Sequence, residues 1–84
     1  MSLELEQKFT QLVAEQIGDS ADEIHLNDRF DDLGLDSLDV VELVMEAEEV
    51  FKLTIPDDDV EPLETVRDFT AYLEKRVPEW RAKL

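Results

Sequence analysis

The chain of 84 residues contains no cysteine. Neither a disulfide framework nor a thiolate metal site can be built from it, and any thiol chemistry must come from an attached group. That absence is consistent with a reducing cytoplasm. Two glycines and three prolines leave no flexible linker or low-complexity tract, and no internal repeat is found. No apolar run is long enough to span a bilayer, and the start Met1-Ser2-Leu3-Glu4 lacks the basic region of a secretory signal. The expectation is one soluble cytoplasmic domain, monomeric, covering residues 1–77 with a tail at 78–84.

Positive charge is also scarce, with eight basic side chains against 23 acidic ones and a formal net charge of −15. The imbalance is concentrated. Residues 1–29 hold seven acidic and two basic groups, residues 30–66 hold thirteen and one, and residues 67–84 hold three and five. Such a field repels nucleic acid and anionic membranes and draws in basic protein surfaces. A merely solvated acidic face is the bland alternative.

What is present is helical periodicity. Ser2 is placed to cap a first helix whose Leu5, Phe9, Leu12, Val13 and Ile17 share one face, with Gly18 ending it. A second helix is expected from about Ser37 to Phe51. Pro56 and Pro62 leave room for about one turn over Asp57-Asp58-Asp59-Val60-Glu61. Thr65, followed three residues later by Asp68, opens a last helix carrying Val66, Phe69, Tyr72, Leu73 and Val77 until Pro78. In the long connection Asp19 to Leu35, Ser20 with Glu23 caps a local turn, while Ile24, Leu26, Phe30, Leu33 and Leu35 anchor the segment over the core. The fold class predicted is all-α, a small up-down four-helix bundle with three main helices and a short third.

The second helix carries the chemistry. Gly34 gives backbone freedom, and Asp36 and Ser37 are both good helix-start residues. A serine hydroxyl there lies beside unpaired amides and the positive end of the helix dipole, surroundings suited to a phosphate or phosphodiester. Downstream are two apolar stripes. Val40, Leu43, Val44, Ala47, Val50 and Phe51 fall within about ±80° of one direction, whereas Leu38, Val41 and Met45 point about 100° to 160° away, beside Glu42, Glu46 and Glu49. One face builds the fold, and the other meets a partner.

The run Gly34-Leu35-Asp36-Ser37-Leu38-Asp39, followed by Val41-Glu42-Leu43-Val44-Met45, resembles the prosthetic-group motif and recognition helix of acyl carrier proteins. The similarity continues through Glu48-Glu49, Phe51, Ile55-Pro56-Asp57, Thr65-Val66 and Tyr72. The resemblance implies a non-catalytic carrier in which Ser37, next to Asp36, is joined to 4′-phosphopantetheine by a phosphopantetheinyl transferase that uses coenzyme A and a divalent metal. It implies acyl cargo carried as a thioester and delivered to enzymes of dissociated fatty-acid synthesis: a ketoacyl synthase, reductases, a dehydratase and acyltransferases with basic surfaces. Partner contacts are then expected at Leu38, Asp39, Val41, Glu42, Met45, Glu49, Val60 and Glu61. The expected cargo walls are Phe30, Val40, Leu43, Val44, Ala47, Phe51, Ile55, Leu63 and Phe69. Ala47 stands where relatives often have leucine, and the stretch from Phe30 to Ser37 is one residue shorter than in many members, so cargo identity stays open. A carrier dedicated to a polyketide or specialised lipid pathway is the runner-up, and an unmodified acidic adaptor is the reading from a different class.

Other chemistries fit less well. Ser37, Asp36 and the sole histidine, His25, contain the ingredients of a hydrolase triad, but there is no G-x-S-x-G elbow. Asp57, Asp59 and Glu61 alternate as calcium ligands do, yet Pro62 occupies the place of the turn glycine in an EF-hand loop. No dedicated metal site is expected. Trp80 lies past the region of clear resemblance, and a packing role, the commoner one for tryptophan, and a ligand-binding role both stay open for it.

Overall fold

The computed structural model describes residues 3–76. The expected caps and contacts of Ser2, Val77, Pro78 and Trp80, and the tail 78–84, lie outside the described residues. Helix α1 spans Leu3–Ile17, α2 Ser37–Phe51, α3 Asp57–Val60 and α4 Val66–Arg76, and a single 3₁₀ turn covers Ala21–Glu23. The fold is all-α with a short third helix, and no strand occurs among the described residues beyond an isolated bridge between Arg29 and Thr65.

Each boundary has a local cause. Gly18 takes φ 77°, and the Asp19 amide reaches back to the Ala14 carbonyl at 2.9 Å, closing α1. Helix α2 starts from Asp36, whose Oδ1 accepts the Asp39 amide at 2.9 Å while Asp39 Oδ2 accepts the Asp36 amide at 3.3 Å. This reciprocal box satisfies two donors that a helix start leaves unpaired. Its other end stops at Lys52, a non-glycine residue at φ 58°, ψ 52°, with the Lys52 amide donating to the Glu48 carbonyl. The same reciprocal pattern opens α4, where Thr65 Oγ1 accepts the Asp68 amide at 3.0 Å and Asp68 Oδ2 accepts the Thr65 amide at 3.2 Å.

Helix α1 packs against both α2 and α4. Their shared interior holds Leu5, Phe9 and Val13 from α1, Leu43, Ala47 and Phe51 from α2, and Val66, Phe69 and Leu73 from α4, all essentially inaccessible to water. Phe69 is the hub. Its ring stacks on Phe9 with centroids 4.5 Å apart and takes an edge contact from Phe30 at 6.2 Å. Such pairs add about 0.5–1.5 kcal/mol each beyond the area they bury.

The long connection is a strap sewn to the start of α4. The Phe30 amide donates to the Glu64 carbonyl at 3.0 Å, the Val66 amide to Asp28 at 3.0 Å, and the Arg67 amide to Leu26 at 2.7 Å. Arg29 pairs with Glu64 across the same seam at 2.9 Å. Buried Ile24, Phe30 and Leu35 pin the strap inward, so the chain enters α2 from a fixed direction. Gly34 at φ 82° makes the final turn, a conformation that any side chain would strain.

Candidate functional site

Ser37 is the first residue of α2 and is exposed, with Asp36 rather than Ser37 capping the helix. Of the four amides at this helix start, Asp39 is bonded to the Asp36 carboxylate and Val40 to the Asp36 carbonyl at 2.9 Å. The Ser37 and Leu38 amides belong to the first turn, at the positive end of the helix.

Ser37 lies on the rim of a cleft of about 540 Å³ between α2, the strap and the segment around α3. That volume falls in the ~300–1,000 Å³ range of small-ligand sites. Its apolar wall is made by Phe30, Leu35, Val40, Val44, Ile55, Val60 and Leu63, and its outer lip by Val41 and Met45. Viewed down α2, the lining residues occupy a sector of about 140° that begins at Val40 and ends at Met45, with Ser37 near its middle. The cleft therefore sits in the seam between the two apolar stripes, with Ser37 on its rim.

The structure divides the expected cargo residues into two groups. Phe30, Val40, Val44, Ile55 and Leu63 line the cleft. Leu43, Ala47, Phe51 and Phe69 do not; they lie in the interhelical core, packed against neighbouring helices. The helical wheel gives a side chain's direction but not whether a helix or a void stands opposite, and for these four it is other side chains.

All of the expected partner residues are exposed or half-buried. Leu38, Val41 and Met45 are 65%, 52% and 57% exposed, uncommonly open for large apolar side chains on so small a domain. Glu42 and Glu49 border them and are exposed, and Asp39 is half-buried in the helix cap. Glu42 is not free-standing: Gln16 of α1 donates from Nε2 to Glu42 Oε1 at 2.8 Å. Val60 and Glu61 face the same cleft from α3 and its end.

Three residues around the site are given no role there by the sequence reading, although Glu48 and Tyr72 belong to the resemblance. Glu48 lines the cleft, and its Oε2 accepts the Ile55 amide at 2.7 Å, tying α2 to the loop before α3. Its position eleven residues after Ser37, just over three whole turns, was the available clue. The other two, Tyr72 and Arg76, hold α3 from behind. Tyr72 Oη donates to Asp59 Oδ2 at 2.7 Å, and Arg76 donates to the Thr54 carbonyl at 3.0 Å, to Asp59 at 3.4 Å and to Tyr72 Oη. Burial, with the hydrogen bond to Asp59, raises the Tyr72 pKa above its ordinary value. Near the strap, the Glu64 amide holds the Asp68 pKa down against the opposing effect of burial, helped by the Thr65 amide and hydroxyl.

No group of three or more histidine or acidic side chains converges as metal ligands among the described residues. No described helix is long and apolar enough to cross a membrane. His25 lies exposed in the strap, where its amide donates to Asp28 Oδ2 at 2.9 Å.

An exposed serine at a helix start thus lies on the rim of an apolar cleft and is flanked by exposed apolar and acidic side chains. Residues 7–73 match the family described as the phosphopantetheine attachment site. The chain is 51% identical over 70 residues to an acyl carrier protein of Bdellovibrio bacteriovorus, covering 82% of this chain and 90% of that one. It is 43% identical over 72 residues to an acyl carrier protein of Akkermansia muciniphila, covering 84% and 90%. The chain belongs to the family of acyl carrier proteins, small domains with a phosphopantetheine attachment site. It is thus a non-catalytic carrier of acyl groups, bearing covalent 4′-phosphopantetheine and serving as a substrate of phosphopantetheinyl transferases.

The residues present fit that group. Ser37 offers an accessible hydroxyl, the Ser37 and Leu38 amides suit a phosphodiester oxygen, and the cleft wall suits an acyl chain. When bound, the group supplies the thiol that this cysteine-free chain lacks.

Proposed function

We propose that Ser37 Oγ is the attachment point and that the protein carries acyl intermediates between separate enzymes of cytoplasmic fatty-acid synthesis, acting as a monomer. The observation that carries the reading is the position of Ser37: exposed, at the first turn of α2, on the rim of the cleft. Asp36 and Asp39 keep that turn wound, so a transferase meets the serine on a fixed helix end.

Leu38, Val41 and Met45 supply apolar area for docking, and Glu42, Glu49 and Glu61 supply the charge that draws basic partner surfaces. The ketoacyl synthase, reductases, dehydratase and acyltransferases of the pathway would share this one surface. Phe30, Val40, Val44, Ile55 and Leu63 shelter the acyl chain, and with it the thioester, from water between visits.

Intact mass after incubation with coenzyme A, a divalent cation and a broad-specificity phosphopantetheinyl transferase tests the assignment. Wild type should gain a single phosphopantetheine, and Ser37→Ala none. Because Asp36 is the cap, Ser37→Ala should leave helix content and thermal stability nearly unchanged. Modification of Ser37→Ala would overturn the assignment.

A further inference from the structure

The cleft beside Ser37 is apolar on its walls but acidic in its charged groups. Six carboxylates line it against one guanidinium, and that guanidinium, Arg29, is already paired with Glu64 at 2.9 Å. Five of the six carboxylates are exposed; Glu48 alone is half-buried.

Glu48 also has a particular place. It lies on nearly the same line of α2 as Ser37, offset by about 20° and about 16 Å further along the axis. Cargo that enters beside Ser37 and runs along α2 thus approaches Glu48 as it lengthens. The Ile55 amide holds the Glu48 carboxylate at 2.7 Å, so swinging it out to solvent costs that bond.

We infer that the cleft sorts cargo by the charge of its far end, admitting neutral acyl chains and keeping chains that end in a carboxylate outside, with Glu48 as the deciding residue. This rests on Ser37 being the attachment point. A neutral end meets Val44 and Ile55 and gains by leaving water. An anionic end loses its hydration and faces a fixed like charge, and both effects oppose entry. The consequence concerns substrates: acyl groups with a terminal carboxylate would remain accessible to enzymes and to water, whereas fully reduced neutral chains would be stored.

The holo protein is loaded with a medium-length saturated acyl group, with the same chain ending in a carboxylate, and with the methyl ester of that acid. Thioester cleavage by hydroxylamine, an uncharged nucleophile, is timed for each, and the Val44 and Ile55 amide resonances report entry. The carboxylate-ended chain should be cleaved about tenfold faster than the neutral chain, the equivalent of one pKa unit of repulsion, and should leave both resonances unmoved. The methyl ester should regain protection although it is larger, and Glu48→Gln, which keeps an acceptor for the Ile55 amide, should narrow the gap. Equal protection of all three cargoes would overturn the charge-sorting inference while leaving the carrier reading intact. Equal cleavage of all three at the rate of a free thioester would overturn it because the cleft holds no cargo. Failure of Ser37 to accept the group at all would overturn the attachment assignment and the inference with it.

Discussion

Replacing Asp36 with alanine removes the acceptor for the Asp39 amide at the turn that presents Ser37. Loss of such a cap costs about 0.5–2 kcal/mol and typically about 1. The amide is near solvent, so water can replace the lost partner, and the reciprocal bond from the Asp36 amide to Asp39 does not depend on the deleted side chain. Both facts favour the lower half of the range. For a domain of this size about 1 kcal/mol lowers the unfolding midpoint by about 4–8 °C. Asp36→Asn retains a capping oxygen and removes only the charge, whose interaction with the helix dipole amounts to about 0.3–1 kcal/mol. Against that loss stands relief of repulsion in a chain of net charge −15, so the asparagine variant should unfold within a few degrees of wild type. The functional readout follows the same order. Fraying of the first turn should slow phosphopantetheinyl transfer in Asp36→Ala well beyond any slowing in Asp36→Asn, measured by intact mass at matched protein concentration. Thermal unfolding followed by circular dichroism supplies the midpoints. If Asp36→Ala unfolds at the wild-type temperature, the side chain does not cap α2 and the reasoning fails.

Ala47 is sealed in the core, so Ala47→Leu should overpack it and destabilise by about 1–3 kcal/mol; an unchanged or raised midpoint would mean there is room beside Ala47. Lys52 holds a left-handed conformation at φ 58° that costs a residue with a Cβ about 1–2 kcal/mol, and Lys52→Gly should therefore raise the midpoint whereas Lys52→Ala should not. Asp68 has a pKa below its ordinary 3.8, so the folded state favours its charged form. Its contribution is complete above that ordinary value and disappears as pH falls through the depressed one. The stability gap between wild type and Asp68→Asn, followed by denaturant titration, should shrink with acid over that window, and a gap independent of pH would refute the cap at α4.

The long helices were legible because apolar residues return at the helical repeat, and the short α3 because Pro56 and Pro62 leave space for one turn. Thr65 with Asp68 announced its cap in four consecutive positions. Ser37 and the exposed Leu38, Val41 and Met45 were legible for a related reason, since they are anomalies of a local pattern: a hydroxyl at a helix start and apolar residues on an acidic face. The remainder depends on residues far apart in the chain. Arg76 on Thr54, Tyr72 on Asp59 and the strap's bonds to Glu64 have no local signature. Depth was illegible for the same reason. Leu43 and Val44 are adjacent on one apolar stripe and both are buried in the core, yet only Val44 also lines the cleft, and only the placement of neighbouring elements distinguishes them.

The acidity of the chain is made of two kinds of charge. The carboxylates of Asp28, Asp36, Asp39, Glu48 and Asp68 each accept a backbone amide, and that of Asp59 accepts the Tyr72 hydroxyl. These six act as mortar: their negative charge faces inward along a bond. Residues such as Glu49, Asp58 and Glu61 act as field, facing outward to whatever approaches. Salt reaches the second kind far more than the first. A brine that silences the protein's attraction for its partners should therefore leave its helix ends tied, and replacing the acidic side chains by alanine one at a time should yield two families of variants, one that stops docking while folded and one that loosens while still acidic.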